Sequence, residues 1–428
     1  MSAITDRIAA DFASAAGRFD AGTEVGARRR SAIRALEASG LPSARHENWK
    51  YANLRPLERA RFLPAPRTAT LPEAAALPEA LPDIPRYLFI DGHFVPAVSA
   101  ALEAGVTVQP APHDHAVPDT ELAGGDERFA LLNAAFAGDV LSLDIPASGA
   151  RPLQLEVLFA ASSEAQTGAS YPRLEVRLAP GAQLRLIERH LSAAAAASFV
   201  TSAVQVELGR GAHLEHYRLQ ELNRRSTLFD TLSARLMEDA TYRLHTISTG
   251  GQSARSTLAL RLAGERAALE LAVASLGDRQ QVQDGYAMVE HLAPNARTVQ
   301  TFRGIAAGRA RVAFNGKIIV AAGAHGTDSR QSLRGLLAGP EAEIDVRPQL
   351  EIYTDDVRCS HGATAGKLDD AMLFYLLSRG LDRDAAQRLL KWAFLEDVVS
   401  QIHLPGLRRQ VEEHLAVHLR DDALRELL

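Results

Sequence analysis

Residues 203–242 read AVQVELGRGAHLEHYRLQELNRRSTLFDTLSARLMEDATY. Apolar and polar residues alternate in several short runs of this stretch, which is the period of a β-strand with one buried face. A tetrad made of a turn residue, alanine, any residue and an apolar residue occurs at 211–214 and again at 239–242. Related tetrads place alanines at Ala182, Ala212, Ala240, Ala267, Ala296 and Ala324, at spacings of 30, 28, 27, 29 and 28 residues.

A regular period of this length is typical of solenoids and propellers. Propeller blades need about 40 residues, so one coil of a parallel β-helix per repeat fits the spacing better. Each coil would then advance the stack by roughly 4.8 Å, the distance between neighbouring strands. A β-sandwich with accidental spacing is the alternative fold. The apolar position of the tetrad is occupied by Thr298 and Gly326 in the last two repeats, which weakens the pattern towards the C-terminal end.

The sequence divides into five regions that differ in composition and in the spacing of their apolar residues. Residues 1–63 have apolar residues at helical spacing, 64–85 form a linker rich in proline and alanine, and 86–150 form a lead-in with a hairpin around Asp91-Gly92. Residues 151–362 carry the strand pattern, and 363–428 form a helical C-terminal domain. In that last region, Gly380 is placed as a helix C-cap and Asp382 as an N-cap. We therefore expect a mainly β protein whose central β-helix lies between helical ends.

The overall composition excludes several classes of function. A net charge of −5 and a pI near 6.3 give no support for binding nucleic acid or a membrane surface. No stretch of 18 apolar residues and no clean signal-peptide core occur, so a cytoplasmic protein is expected. The sequence contains no Walker A, HExxH, CxxC or GxSxG motif and no dinucleotide fingerprint after a strand. We therefore expect neither ATP hydrolysis nor NAD binding by this chain.

The strongest chemical signal is the segment LEIYTDDVRCSHGATAGKLDDAMLFYLLSRG at 350–380, which contains the only cysteine, Cys359. On a strand Cys359 and His361 share a face, and a nearby imidazolium could lower the pKa of the thiol. Together they supply half of a four-ligand metal site, so either the pair is inert or a second subunit completes it. The inert alternative is a buried structural cysteine beside a hydrogen-bonded histidine. Asp355 and Asp356 point to opposite faces of a strand and are more typical of a turn or bulge.

This segment resembles the SufD branch of the SufB/SufD family of iron–sulfur cluster assembly proteins. The resemblance is carried by Leu350–Tyr353, Asp355–Val357, Cys359, His361–Thr364, Gly366 and Phe374–Gly380, with Phe314–Lys317, Gln331 and Leu336-Leu337 upstream. Arg45, Glu47, Trp49–Tyr51 and Leu54 match an N-terminal motif of that branch, from which Ala52 departs. SufB-like chains instead have His-Glu-Ala-Thr at the Cys-Ser-His-Gly-Ala-Thr position and several further cysteines, none of which occurs in this sequence.

The resemblance implies a right-handed parallel β-helix and a non-catalytic scaffold subunit of a SufB–SufC2–SufD complex, which assembles iron–sulfur clusters and passes them to apoproteins. His361 would face a cysteine of the SufB partner at the site of nascent cluster formation, with Cys359 beside it in a less settled role. The C-terminal helices would bind SufC, the ATPase whose dimerisation twists the complex. The candidate contacts with SufC are Phe374, Tyr375, Ser378, Arg379, Gly380 and Leu389.

The same resemblance implies no cofactor in the isolated chain. Iron or an iron–sulfur cluster would be held transiently at the partner interface, and flavin binding by the complex and homodimerisation of the isolated chain are left open. Two other functions also remain open for a β-helix: a structural solenoid without a ligand, and a carbohydrate-active protein. The second would need acidic clusters on one coil face and a secretion signal, and the sequence has neither.

Overall fold

The computed structural model describes residues 3–15, 17, 24–68, 71–73, 76–110, 126–147, 151–162 and 168–419. Parts of the predicted linker, lead-in and C-terminal domain, including 111–125 and 420–428, lie outside these residues. The helices are α1 (Ala3–Ala15), α2 (Glu24–Ser39), α3 (Arg128–Phe136), α4 (Asp370–Ser378), α5 (Arg383–Val399) and α6 (Pro405–Leu419), with short 3-10 turns at Glu47–Trp49, Arg55–Glu58 and Pro96–Val98.

Most of the described residues between the helical ends are in β-strands. The strands are β1 (Arg86–Ile90), β2 (His93–Phe94), β3 (Val106–Pro110), β4 (Asp139–Ile145), β5 (Leu153–Ala161), β6 (Ala169–Ser170), β7 (Arg173–Leu178), β8 (Gln183–Ser192), β9 (Phe199–Leu208), β10 (His213–Glu221), β11 (Thr227–Leu236), β12 (Thr241–Ser248), β13 (Ser253–Leu262), β14 (Ala268–Gly277), β15 (Val282–His291), β16 (Arg297–Ala307), β17 (Arg311–Val320), β18 (Thr327–Ala338), β19 (Glu343–Ile352) and β20 (Val357–Gly366).

From β8 onward, successive strands alternate between two facing sheets. One sheet has the order β2-β1-β5-β8-β10-β12-β14-β16-β18-β20, and the other has the order β19-β17-β15-β13-β11-β9-β7-β4-β3. From β8 onward, neighbouring strands within a sheet are parallel, and each residue pairs with the equivalent residue of the next coil, so that Leu214 lies opposite Leu184 on one side and Tyr242 on the other. The predicted parallel β-helix is confirmed, and the β-sandwich alternative is wrong.

The alanine repeat marks one corner of each coil. All six predicted alanines are fully buried. In five coils the residue before the alanine has a positive φ, from 56° at Asp239 to 74° at Gly181. Its backbone N–H reaches the next coil, as when Gly211 N donates to Glu238 O at 2.8 Å. The repeat therefore reflects a left-handed turn residue followed by a position too crowded for a larger side chain.

The two ends of the solenoid are built differently. At the N-terminal end, β1 pairs in parallel with β5 and β4 with β7, so the lead-in at 86–150 contributes strands to both sheets instead of preceding the β-helix. There, antiparallel β2 and β3 cover the last parallel strands. At the other end, β20 continues to Gly366, past the predicted boundary at 362, because its register with β18 is kept as far as Leu336. Among the described strands, none covers β19 or β20.

The helices pack against the outer faces of the two sheets. Residues of α1, α2 and α3 form an apolar cluster with β9 and β11, in which the rings of Phe129 and Phe229 stack at 4.0 Å. Residues of α5 and α6, including Leu395 and Val411, pack against the outer face of the β20-containing sheet. The predicted hairpin and the Asp382 N-cap are confirmed. The C-cap of α4 is Arg379, and Gly380, with a φ of 95°, is the left-handed residue that follows it. Within the described residues, no helix is long and apolar enough to cross a membrane.

Candidate functional site

Cys359 and His361 lie on β20, the last strand of the solenoid. Cys359 is in register with Ser329 of β18, and His361 is in register with Gln331. Cys359 is half-buried and packs against the apolar core between the two sheets, so its side chain points into the lumen. Because alternate residues of a strand share a face, His361 lies on the same side, where it is exposed at the open end. The predicted pairing of these two residues on one face is consistent with this register.

The thiol of Cys359 is not activated in this chain. Its burial raises the pKa of the thiol, and the nearby Asp328 carboxylate adds to the increase, whereas a hydrogen bond with the backbone of Ser329 opposes it. The expectation that a nearby imidazolium could lower this pKa is wrong for the isolated chain, since desolvation disfavours the thiolate. Cys359 is therefore protonated at neutral pH until a metal or a partner displaces the proton.

Two polar columns run along the lumen and end at the candidate pair. One consists of Thr298, Ser329 and Cys359, and the other of Gln300, Gln331 and His361. In the earlier coils the same columns contain the buried apolar residues Leu269 and Leu271. These two columns thus change from apolar to polar as they approach the open end of the solenoid.

Gly316 of β17 makes room for the glutamine column. The side-chain nitrogen of Gln331 donates to Gln300 Oε1 at 2.6 Å and to the Gly316 carbonyl at 3.0 Å. A Cβ atom at position 316 would lie 2.5 Å from Gln300 Oε1 and 2.9 Å from Gln331 Nε2. The motif Phe314–Lys317 is part of the family resemblance described above, but the sequence alone does not explain its glycine. The close approach of the two glutamine side chains explains why no larger residue fits at position 316.

The described residues alone do not form a complete metal site. No group of three or more His, Cys, Asp or Glu side chains among them is placed to hold a metal ion. Asp355 and Asp356 are exposed, and the Asp356 carbonyl accepts a hydrogen bond from Gly326 N, which fits the turn role predicted for this pair. Cys359 and His361 thus offer two donors, and a complete ligand set would need donors from elsewhere.

The coil that carries the pair is the most exposed part of the solenoid. Every residue from Gly362 to Gly366 is exposed, and no residue of β19 is fully buried. Two apolar side chains at the end of β19 are open to solvent, Ile352 at 40% and Tyr353 at 63%. A strand edge of this length, with unpaired backbone groups, is a surface to which another chain can add.

A second exposed surface lies on α4 and α5. Phe374 is 73% exposed, Tyr375 51% and Leu389 44%, and Met372 lies beside them at 52%. The other predicted contacts have local structural roles as well: Ser378 Oγ donates to the Tyr375 carbonyl, the Arg379 guanidinium lies 5.1 Å from the Tyr375 ring centre, and Gly380 ends α4. We call Met372, Phe374, Tyr375 and Leu389 the α4–α5 apolar face.

Sequence reasoning missed a charged cluster buried in the middle of the lumen. Burial opposes ionisation of Glu188, but Arg218 and hydrogen bonds from His190 and His216 outweigh it and hold the pKa of this carboxyl well below its usual range. Arg218 also forms two hydrogen bonds with Asp230, at 2.8 and 2.9 Å. All four carboxylate oxygens have partners, although His190 Nδ1 has none among the described residues. The cluster is therefore a structural network in which the acids are paired, and it lies beside a cavity of about 50 Å³.

The chain resembles known proteins over most of its length. A family model described as "SUF system FeS cluster assembly, SufBD core domain" matches residues 159–394, which include both surfaces. The chain is 32% identical over 393 residues to the iron–sulfur cluster assembly protein SufD of Escherichia coli (strain K12), covering 91% of this chain and 92% of that protein. It is 28% identical over 407 residues to an iron–sulfur cluster assembly SufBD family protein of Synechocystis, covering 90% and 89%.

Proposed function

The chain belongs to the SufBD family of SUF-system iron–sulfur cluster assembly proteins and is of the SufD type, and we propose that it is a non-catalytic scaffold subunit. In this role it would contribute to iron arrival and nascent cluster formation at an interface with a SufB-like partner. The observation that carries this proposal is the half-complete donor pair at the uncovered end of the solenoid. We place the complex, which also contains a SufC-like ATPase, in the cytoplasm.

The interface is proposed at the edges of β19 and β20. These edges are long and uncovered in the described structure, whereas the opposite end of each sheet is covered by an antiparallel strand. A partner with a similar solenoid could extend both sheets and bring its own side chains to Cys359 and His361. In the isolated chain, the same edges could pair with a second copy, and such self-association stays a prediction, as does flavin binding by the complex.

Iron is the cargo at this interface. An imidazole nitrogen and a thiolate are both suitable donors for iron, and the remaining donors would come from the partner. His361 would bind through a neutral ring nitrogen. Cys359, whose burial raises its pKa, would have to release its proton on binding, so iron capture by this residue would be weaker at low pH. Sulfur would arrive on the partner as a persulfide.

The α4–α5 apolar face is proposed as the docking surface for the SufC-like ATPase. Four large apolar side chains are exposed on these two helices, which is a feature of protein contact surfaces. Behind this face, α5 is fixed to the solenoid by buried Leu395 and Val398 and by the ion pair between Arg303 and Asp397 at 2.8 Å. Movement of the ATPase would therefore be transmitted through α5 to the strands that lead to β20.

The proposal is tested by co-purifying the chain with its SufB-like and SufC-like partners and reconstituting clusters anaerobically. We expect His361→Ala to leave complex formation intact and to lower iron–sulfur absorbance and transfer to an apoprotein by about tenfold or more, as for the loss of a ligand-sphere group. The matched control is His325→Ala, since His325 is also exposed and its ring forms a hydrogen bond with Thr354, away from Cys359 and His361 in the sequence.

Two outcomes would overturn the site. If His361→Ala assembles clusters as the unchanged chain does, the donor pair is inert and the solenoid serves the complex only as a lever or support. If His325→Ala fails to the same degree, the loss reflects damage to the turns near β20. The family match leaves no observation in favour of a carbohydrate-active protein.

A further inference from the structure

We propose that Gln331 is a positioning residue for His361: its side-chain oxygen accepts the N–H of one ring nitrogen and thereby directs the other nitrogen out of the lumen. The contact itself concerns this chain alone, and only its consequence for iron binding rests on the proposed function. Nothing in the sequence motif distinguishes Gln331 as a contact of the histidine, because the two are 30 residues apart.

The orientation of the Gln331 amide is fixed by the preceding coil and by the opposite sheet. Its nitrogen donates to Gln300 Oε1 and to the backbone carbonyl of Gly316. A carbonyl oxygen can only accept, so the group that faces Gly316 must be the NH2 and not the oxygen. Both amide hydrogens of Gln331 are thus used by the preceding coil and by the opposite sheet.

The oxygen of the same amide is left without a partner. Gln331 is 4% exposed, and Gln331 Oε1 has no hydrogen-bond partner among the described residues. A buried acceptor that lacks a donor costs roughly 1–3 kcal/mol. We therefore expect a donor to meet this oxygen, and it must come from the direction that the amide nitrogen does not use.

His361 is the side chain placed to supply that donor. It is the register partner of Gln331 in the next coil, as Gln331 is of Gln300. The step between neighbouring strands, about 4.8 Å, is the same in both cases. This step allows a 2.6 Å hydrogen bond between the two glutamines. The structure does not show the corresponding bond between a ring N–H of His361 and Gln331 Oε1, and forming it requires the exposed imidazole to turn towards Gln331.

The consequence for His361 is a fixed tautomer. A neutral imidazole has one N–H and one lone pair. If the N–H points to Gln331, the lone pair faces away from the lumen, towards the proposed interface. Histidines that bind metals usually donate their second ring nitrogen to a carbonyl or carboxylate, and the glutamine oxygen would have this role here.

The test compares two variants of the intact chain by nitrogen-15 NMR of labelled histidines, with His361→Ala used to assign the His361 signals. Gln331→Met keeps the length of the side chain but removes the acceptor. Gln300→Met is the matched control, because it removes one contact of the ladder yet leaves Gln331 bonded to Gly316. The signals of the other 13 of the 14 histidines report whether each variant keeps its fold.

We expect His361 to be mainly one tautomer in the unchanged chain and in Gln300→Met, and a mixture of tautomers in Gln331→Met. Identical His361 signals in Gln331→Met and the unchanged chain would overturn the proposal. In the reconstituted complex, Gln331→Met should lower the affinity of the site for iron by about 10-fold to 100-fold, the usual effect of losing a group that orients a ligand.

The two proposals fail separately. A change of tautomer in Gln331→Met together with normal cluster assembly by His361→Ala would support the positioning of the ring and refute its role as an iron ligand. An unchanged tautomer together with failed assembly by His361→Ala would refute the positioning role alone.

Discussion

At the scale of single residues, the buried alanines set how closely the coils of the solenoid can turn. Ala240 is 0% exposed and lies between Ala212 and Ala267 of the neighbouring coils, which are equally buried. We expect Ala240→Leu to lower the free energy of unfolding by about 1–3 kcal/mol, because a longer side chain forces its neighbours and the backbone apart. Denaturant titration followed by circular dichroism measures the change.

The control for this prediction is Ala322→Leu. Ala322 also lies in a turn between coils but is exposed, so the free energy of unfolding should change by no more than about 0.5 kcal/mol. Equal denaturation midpoints for Ala240→Leu and the unchanged chain would show that the corner can accommodate a leucine side chain. The explanation of the alanine repeat by close packing would then be wrong.

The backbone conformation of the residue before each alanine could not be predicted from the sequence alone. Gly181 and Gly211 adopt a positive φ at little cost, whereas Arg266 does so at 57°. Arg266 is held there by its N–H, which donates to Pro294 O, and by ion pairs with Glu238, Asp239 and Glu265. Those carboxylates lie in the preceding turn and beside Arg266, and only the stacking of coils brings them together.

At the scale of elements, the α4–α5 apolar face makes a testable prediction about partner binding. Phe374 and Leu389 are largely exposed, so replacing both with serine should leave the fold and the melting temperature nearly unchanged. Binding of the SufC-like partner should weaken by at least tenfold, because exposed aromatic and aliphatic side chains at the centre of an interface supply much of its free energy. Isothermal titration calorimetry with the purified partner measures this affinity.

Val417→Ser on α6 is the matched control, since Val417 is 54% exposed but lies outside the α4–α5 apolar face. Loss of binding in this control as well would point to a general change in the helical domain. Unchanged affinity in Phe374→Ser/Leu389→Ser would place the ATPase contact on another surface.

The strands were predictable because their alternation is local, but the contents of the lumen were not. In β10, alternation groups His216 with Arg218 and Tyr217 with Leu219, and it does not say which pair faces inward. Both pairs are buried, since the C-terminal helices cover the outer face of this sheet. The charged pair is inside, where Arg218 is paired with Glu188 of the preceding coil and with Asp230 on the opposite sheet of its own coil. The candidate site shows the same limit: Cys359 and His361 were identified as a pair from the sequence, whereas the roles of Gln331 and Gly316 became apparent only from the strand register.

At the scale of the whole molecule, the solenoid is directional. Its N-terminal end is covered by antiparallel strands, and its middle is filled by apolar residues and the Glu188 network. Its C-terminal end is polar inside and uncovered at its edge. The middle coils are thus the most fully buried, and the last coil is left available for recognition, as expected for a scaffold whose neighbouring coils contact mainly one another.

The stability of the whole molecule should fall when buried histidines are forced to take up protons. His291 is 0% exposed in the lumen, and its burial lowers its pKa from 6.5 to about 4. Between these two values the unfolded chain binds more protons than the folded one, so the free energy of unfolding decreases as the pH falls from 6.5 to 4 and is fully retained above 6.5. At pH 5 the loss from this residue is about 2 kcal/mol.

Denaturant titrations at pH 7, 6 and 5 measure this dependence. His291→Gln cannot take up the proton but can keep a hydrogen bond with Thr298, whose hydroxyl lies 2.9 Å from the His291 ring nitrogen. We therefore expect this variant to lose about 2 kcal/mol less than the unchanged chain between pH 7 and pH 5. His213→Gln, which alters an exposed histidine, should keep the original slope. If the free energy of unfolding changes with pH by the same amount in all three proteins, the charged ring of His291 must be hydrated in the folded state. Water would then have access to the lumen at this position.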